Sequence, residues 1–121
     1  MNALFLAAMI IEGLFAVGFI AVPGTLLSPF GVTLDVTATV FARLFGSAML
    51  SFPVLLWYGR RSDKMEFKTG VVRGLFIYYL ASTPILLLTQ TAGLMNAKGW
   101  VIVGLHFVFL GWFGVYAFKK N

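Results

Sequence analysis

The sequence predicts an all-α protein, a four-helix transmembrane bundle that forms a single domain over 1–121. Hydrophobic residues make up 60% of the chain and charged residues 11%, whereas soluble domains carry about 25% charged residues. The mean hydropathy is +0.95. Four apolar stretches of about 20 residues are each long enough to cross a bilayer, so the lipid bilayer is the expected partner.

The four spans are separated by short connections. Their expected ranges are about 3–22, 38–58, 70–91 and 99–118. The first span is expected to be a retained helix and not a signal peptide, because no basic segment precedes it and Glu12 lies in its middle. It ends at Pro23-Gly24, a strong stop signal. The connector that follows contains many apolar residues, which predicts that it lies in the membrane interface or folds back on the bundle.

Two prolines are expected to disturb the later spans. Asp35 or Thr37 is the expected N-terminal cap of the second span. Pro53 should kink that span near its inner end, where Ser51 can satisfy a freed carbonyl group. Pro84 marks a second expected kink, in the third span.

The basic residues predict the orientation. The loop between the second and third spans and the C-terminal tail contain most of them: Arg60, Arg61, Lys64, Lys68, Lys119 and Lys120. The first loop has none, and the third has only Lys98. The positive-inside rule therefore places both termini in the cytoplasm. The net charge of +5 is attributed to this topology and to anionic headgroups, so nucleic acid is not an expected partner.

Ionisable residues inside the spans predict a buried polar cluster. Glu12, Arg43 and His106 lie at depths that allow them to meet near the midplane. Each costs about 2.5–3.5 kcal/mol at a helix centre on insertion scales, so such groups normally face protein or water. Ser47 and Ser51 follow Arg43 at four-residue intervals and form one polar stripe with it. The predicted cluster is Glu12, Arg43, His106 and Ser47.

The role of this cluster stays open at the level of sequence. Glu12 and Arg43 form either an ion pair that locks the first two helices together or a proton- or ligand-binding carboxylate tuned by the arginine. His106 is either a hydrogen-bonded packing residue or a ligand or proton relay. Gly46 beside the stripe should allow two helices to approach closely. On the last span, Gly104, Gly111 and Gly114 offer small surfaces for packing.

No catalytic or metal-binding set is present in the sequence. The chain has no Cys, which excludes disulfides and thiolate metal sites. One His and one Glu are too few for a metal site, and a lone His is a weak signal for an axial haem or chlorin ligand, so no cofactor is assigned. No nucleotide-binding or nucleophile motif is found, and an enzyme is not expected. Four polar residues beside Pro84 are expected to pack and to bond the backbone, with cavity lining as the alternative: Tyr78, Tyr79, Ser82 and Thr83.

Two resemblances concern the layout. The segments FARLFGSAMLSFPVLLWYGRR and GWVIVGLHFVFLGWFGVYAF resemble a loose group of functionally uncharacterised small bacterial four-helix membrane proteins, which share an Arg-Leu-x-Gly element in helix 2, here Arg43 to Gly46. That resemblance implies the topology and the position of Arg43, but no activity. The expected location is a bacterial inner membrane. A lone Glu12 in helix 1 is also similar to the layout of small multidrug resistance transporters, whose glutamate binds protons and cationic substrates in turn. The aromatic and glycine-rich motifs of that family are not found here.

Three functions follow as hypotheses. The first is a non-catalytic accessory or structural subunit that contacts other membrane-protein subunits or forms a homo-oligomer. The second is a small proton-coupled transporter or channel that uses Glu12, Arg43 and His106. The third is a protein that binds a lipid, quinone or pigment, with Arg43 or His106 as the polar contact.

Overall fold

A computed structural model describes residues 1–120 of the chain, and 82% of the protein is helical. The helices are α1 (Asn2–Ala21), α2 (Pro23–Leu27), a short 3-10 helix (Ser28–Phe30), α3 (Val36–Met49), α4 (Ser51–Arg61), α5 (Met65–Thr91) and α6 (Gly99–Ala117). Four helical stretches are long and apolar enough to span a membrane: α1, α3 with α4, α5 and α6. The predicted four-span, all-α architecture is confirmed.

The bundle consists of two helix pairs joined side by side. The second span, formed by α3 and α4, packs along α1, and α5 packs along α6. The main contact between α5 and the second span is made by α4 rather than by α3. The start of α1, the end of α6 and the loop 62–64 lie at one end of the bundle, here called the basic end. The connector 22–35 and the loop 92–98 lie at the other, here called the capped end.

Aromatic packing around Tyr79 forms the centre of the core. Tyr79 is 1% exposed, and its ring stacks on Phe109 and Phe113 at centroid distances of 5.4 and 5.5 Å. Phe5 and Leu56 are also fully buried in the same cluster. Most other large apolar side chains lie on the outer surface, which is the surface that lipid would solvate.

Gly46 sets the distance between α1 and α3. A Cβ atom at this position would lie 2.7 Å from Cβ of Phe19 and 2.9 Å from the carbonyl oxygen of Ala16. No larger residue fits there without a shift of the backbone. The expected close approach at Gly46 is therefore confirmed, and it is a typical contact between membrane helices.

The second span is broken between Met49 and Ser51. Pro53 lacks the N–H that would bond the carbonyl of Met49, so one hydrogen bond of the regular helix is missing in this turn. Ser51 Oγ donates a hydrogen bond to the carbonyl of Ala48 at 2.7 Å and not to the carbonyl of Met49 that Pro53 leaves free, so Ser51 does not take the expected role. By contrast, α5 continues through Pro84 as one helix.

The capped end is closed by hydrogen bonds between two loops. Asn96 Nδ2 donates to the carbonyl of Pro29 at 2.9 Å, and the Asn96 N–H donates to the carbonyl of Phe30 at 2.8 Å. Gly31 permits the turn with a φ of 76°. The connector thus folds back on the bundle, as predicted. Asp35 caps α3 by accepting from the Ala38 N–H at 2.7 Å.

Candidate functional site

A cavity of about 280 Å³ lies between α1, α3, α5 and α6, in the half of the bundle toward the capped end. Most of its wall is apolar, including Phe15, Phe19, Phe45, Met49, Leu105 and Phe109. Its polar wall residues are Glu12, Tyr78, Tyr79, Ser82 and His106. Of the four predicted cluster residues, the structure brings Glu12 and His106 to this one space.

Glu12 is held by α5. Its side chain is 4% exposed, and the carboxylate accepts a hydrogen bond from the Tyr79 hydroxyl. The Tyr79 ring is fixed by its stacking on Phe109 and Phe113, so the hydroxyl is presented in a rigid position. A buried polar group needs such a partner, because an unsatisfied one costs about 1–3 kcal/mol.

Arg43 and Ser47 do not join Glu12 in the cavity. Both side chains are exposed, and Ser47 Oγ donates to the carbonyl of Arg43 at 2.9 Å, within its own helix. The Tyr79 hydrogen bond takes the place of the predicted ion pair between Glu12 and Arg43. The reason is the rotation of α3, because Gly46 and Met49 occupy its buried face. The long side chain of an exposed arginine can extend along the helix toward the headgroups.

His106 is half-buried and lies against Tyr79, with the two ring centroids 5.4 Å apart. Its Nδ1 is 3.0 Å from the carbonyl oxygen of Ile102. A carbonyl oxygen only accepts, so this contact requires the proton on Nδ1. In the neutral ring, Nε2 is then the hydrogen-bond acceptor.

Ser82 carries a buried hydroxyl group close to that of Tyr78. Its Oγ makes no hydrogen bond of regular geometry among residues 1–120, and Tyr78 is its hydrogen-bonding neighbour. Tyr78 lies one turn earlier on the same helix face and lines the same cavity. Thr83, by contrast, donates to the carbonyl of Tyr79 at 2.6 Å, as expected for a residue that bonds the backbone.

Two residues of the cavity wall are also exposed on the outer surface of the bundle. Phe45 on α3 and Ile85 on α5 both line the cavity, and they are 43% and 63% exposed. At the capped end Leu27 and Met95 complete the wall. The cavity therefore borders the apolar outer surface on this side.

Sequence reasoning missed Tyr79 as the partner of Glu12. The spacing Tyr78, Tyr79 and Ser82 places phenolic and serine hydroxyl groups on adjoining faces of one helix, and that was the available signal. The resulting site is a space with an almost entirely apolar accessible wall, behind which the polar groups of Glu12, Tyr79 and Ser82 are buried. No protein-family model, curated protein or solved structure matches this chain.

Proposed function

We propose that this small multi-pass membrane protein binds a small, mostly apolar molecule that enters its cavity from the lipid phase. The class of ligand is a ring compound with hydrogen-bonding groups, such as a quinone. The observation that carries the proposal is the mostly apolar cavity inside the bundle, with Glu12, Tyr78, Ser82 and His106 among its wall residues.

Size and chemistry both support this class of ligand. The volume of about 280 Å³ is close to the lower limit of about 300 Å³ for ligand pockets, which favours one ring and not a long chain. The Ser82 and Tyr78 hydroxyl groups can donate to a carbonyl oxygen of the guest. Each such bond contributes about 0.5–1.5 kcal/mol.

A binding titration tests the proposal. Protein in detergent is titrated with 2,3-dimethoxy-5-methyl-1,4-benzoquinone, a quinone of one ring without a long chain, and the quenching of the protein's intrinsic fluorescence is measured. Leu105→Trp should remove saturable quenching because it fills the cavity. Ser82→Ala should raise Kd about 3- to 10-fold, the equivalent of one lost hydrogen bond.

Ser47→Ala is the matched control, because Ser47 is an exposed serine that does not line the cavity. It should leave Kd unchanged. If the fluorescence of the Leu105→Trp variant is quenched with the same saturation as that of the wild-type protein, the quinone is only partitioning into the micelle and the proposal fails.

A second candidate, the accessory or structural subunit, has support from α6. Five exposed residues form a stripe with heptad spacing: Val101, Gly104, Val108, Gly111 and Val115. A Cβ atom at either glycine would meet no atom within 4 Å. No side chain projects at these two positions, so a helix of another subunit can pack closely against the stripe. Gentle solubilisation should then yield a complex that Gly104→Leu dissociates, as measured by light scattering. A monomeric wild-type protein would remove this candidate.

Of the predicted pair Glu12 and Arg43, only Glu12 can serve the transport hypothesis, because Arg43 lies outside the cavity. Glu12→Gln should abolish proton-linked uptake in liposomes, and Arg43→Gln should not. Uptake that is the same in the Glu12→Gln variant and the wild-type protein would exclude this mechanism.

We also propose that both termini face the cytoplasm of a bacterial inner membrane, on the basis of the basic residues at that end. The absence of Cys in the sequence makes labelling direct. In intact cells an impermeant maleimide should label Ala97→Cys and leave Ser62→Cys unlabelled. The reverse pattern would invert the proposed orientation.

A further inference from the structure

A second cavity, independent of the proposed ligand site, lies between α4 and α5 near the basic end. It is an open groove of about 710 Å³. Val71 and Leu75 form its buried floor, and Phe52 and Leu55 of α4 form one wall. The groove is therefore an apolar slot on the face of the bundle that lipid contacts.

Two glycines leave this slot open. Gly70 and Gly74 are one turn apart on α5 and both line the groove. A Cβ atom at either position would meet no atom within 4 Å. The missing side chains thus create free volume along one face of α5.

The length of the groove corresponds to one leaflet of a bilayer. It extends from Lys64 to Leu75, about 16 Å along a helix that rises about 1.5 Å per residue. Half of a hydrocarbon core of about 30 Å is about 15 Å. An acyl chain lying in the groove would therefore place its headgroup beside Lys64.

Contacts between aromatic and basic side chains at the basic end support a position of Lys64 at the depth of the lipid headgroups. The Arg61 guanidinium lies 5.1 Å from the centre of the Trp57 ring, and Lys119 Nζ lies 5.9 Å from that of Tyr116. Pairs of tryptophan or tyrosine with basic residues are typical of the interface between membrane and water. The mouth of the groove is thus at headgroup level.

The charge at the mouth favours an anionic headgroup. Lys64 lines the groove, and Glu66 lines it as well. Over 60–68 the four basic residues outnumber the two acidic ones, which leaves a net charge of +2. No side chain caps the N-terminus of α5, so its positive dipole end adds to this field.

We propose that the groove between α4 and α5 binds one acyl chain of an anionic phospholipid, with the phosphate beside Lys64. The free volume at Gly70 and Gly74 accommodates the chain, and the basic loop selects the headgroup. Juxtamembrane basic residues contribute about 1 kcal/mol each toward anionic lipid.

Native mass spectrometry tests both parts of the proposal. The protein is incubated in detergent with equimolar phosphatidylglycerol and phosphatidylethanolamine, and the retained lipids are counted. The wild-type protein should retain one phosphatidylglycerol in preference. Gly74→Leu should lower that retention at least fivefold, whereas Gly24→Leu, at an equally open glycine in the connector at the capped end, should leave it unchanged.

The charge is tested separately. Lys64→Gln should reduce the preference for phosphatidylglycerol about fivefold, which corresponds to about 1 kcal/mol. Lys98→Gln, at the opposite end, should not. Lys64→Gln changes an exposed side chain, so the lipid preference measured for it does not depend on whether the protein tolerates a larger residue at Gly74.

Three results would overturn the proposal. The first is equal retention of the two lipids by the wild-type protein, and the second is unchanged retention in Gly74→Leu. The third is an equal effect of Lys64→Gln and Lys98→Gln, which would indicate attraction by overall charge and not a site.

Discussion

The substitution Tyr79→Phe tests whether the hydrogen bond from Tyr79 to Glu12 stabilises the bundle. The change removes one hydroxyl oxygen and keeps the ring. The stacking on Phe109 and Phe113, at 5.4 and 5.5 Å, is therefore retained. What is lost is the hydrogen-bond donor to a carboxyl group that is 4% exposed.

The expected cost follows from that burial. A buried polar group left without its partner costs about 1–3 kcal/mol. Glu12→Leu should cost a similar amount, because it leaves the Tyr79 hydroxyl unpaired. The double variant removes both partners and should cost less than the sum of the single changes by about 1–2 kcal/mol, a coupling within the range for hydrogen bonds between membrane helices.

The assay is equilibrium unfolding in detergent micelles, followed by circular dichroism. A second cycle with Glu12→Leu and Arg43→Gln is the matched comparison, because Arg43 is exposed and does not contact the carboxylate. In this second cycle the losses of unfolding free energy of the two single variants should sum to that of the double variant within about 0.5 kcal/mol. Additive energies in the Tyr79 cycle, or strong coupling in the Arg43 cycle, would refute the assignment of the partner of Glu12.

Other changes test packing and the capped end. Gly46→Ala should lower the free energy of unfolding by about 1–3 kcal/mol, because its Cβ would lie 2.7 Å from that of Phe19 in a packed contact. Gly104→Ala, in open space, should be neutral or stabilising by up to about 1 kcal/mol, and similar losses for both would contradict the packing described. Asn96→Ala should speed hydrogen exchange in 24–31 and 92–98, since it removes the bond to Pro29; Thr89→Ala, on the same side of the bundle, should not.

The spans and their approximate ends could be predicted because hydropathy and length decide them. The first and last predicted ranges, 3–22 and 99–118, differ by one residue at most from Asn2–Ala21 and Gly99–Ala117. The second and third, 38–58 and 70–91, are too short, because the helices Val36–Arg61 and Met65–Thr91 continue into the charged loop. The cap at Asp35 and the close approach at Gly46 were also accessible, because each depends on local chemistry. These features need no knowledge of how one helix is rotated against another.

The rotation of α3 could not be obtained in this way. The stripe of Arg43, Ser47 and Ser51 predicts a polar face directed inward, but α3 turns Gly46 and Met49 toward the bundle. Close packing at a glycine and the reach of a long arginine side chain outweigh the alignment of polar residues. The partner of Glu12 therefore came from α5, and the cavity became visible only in three dimensions.

The interruption at Leu50 divides the second span into two helices with different neighbours. On one side of it, α4 packs at the basic end, where a Cβ atom on Gly59 would come within 2.9 Å of the Phe5 ring, and it lines the groove proposed for lipid. On the other side, α3 carries Phe45 and Met49, which line the cavity inside the bundle. One membrane crossing thus contributes to two separate spaces, so a substitution in α3 can change the cavity and leave the groove as it is.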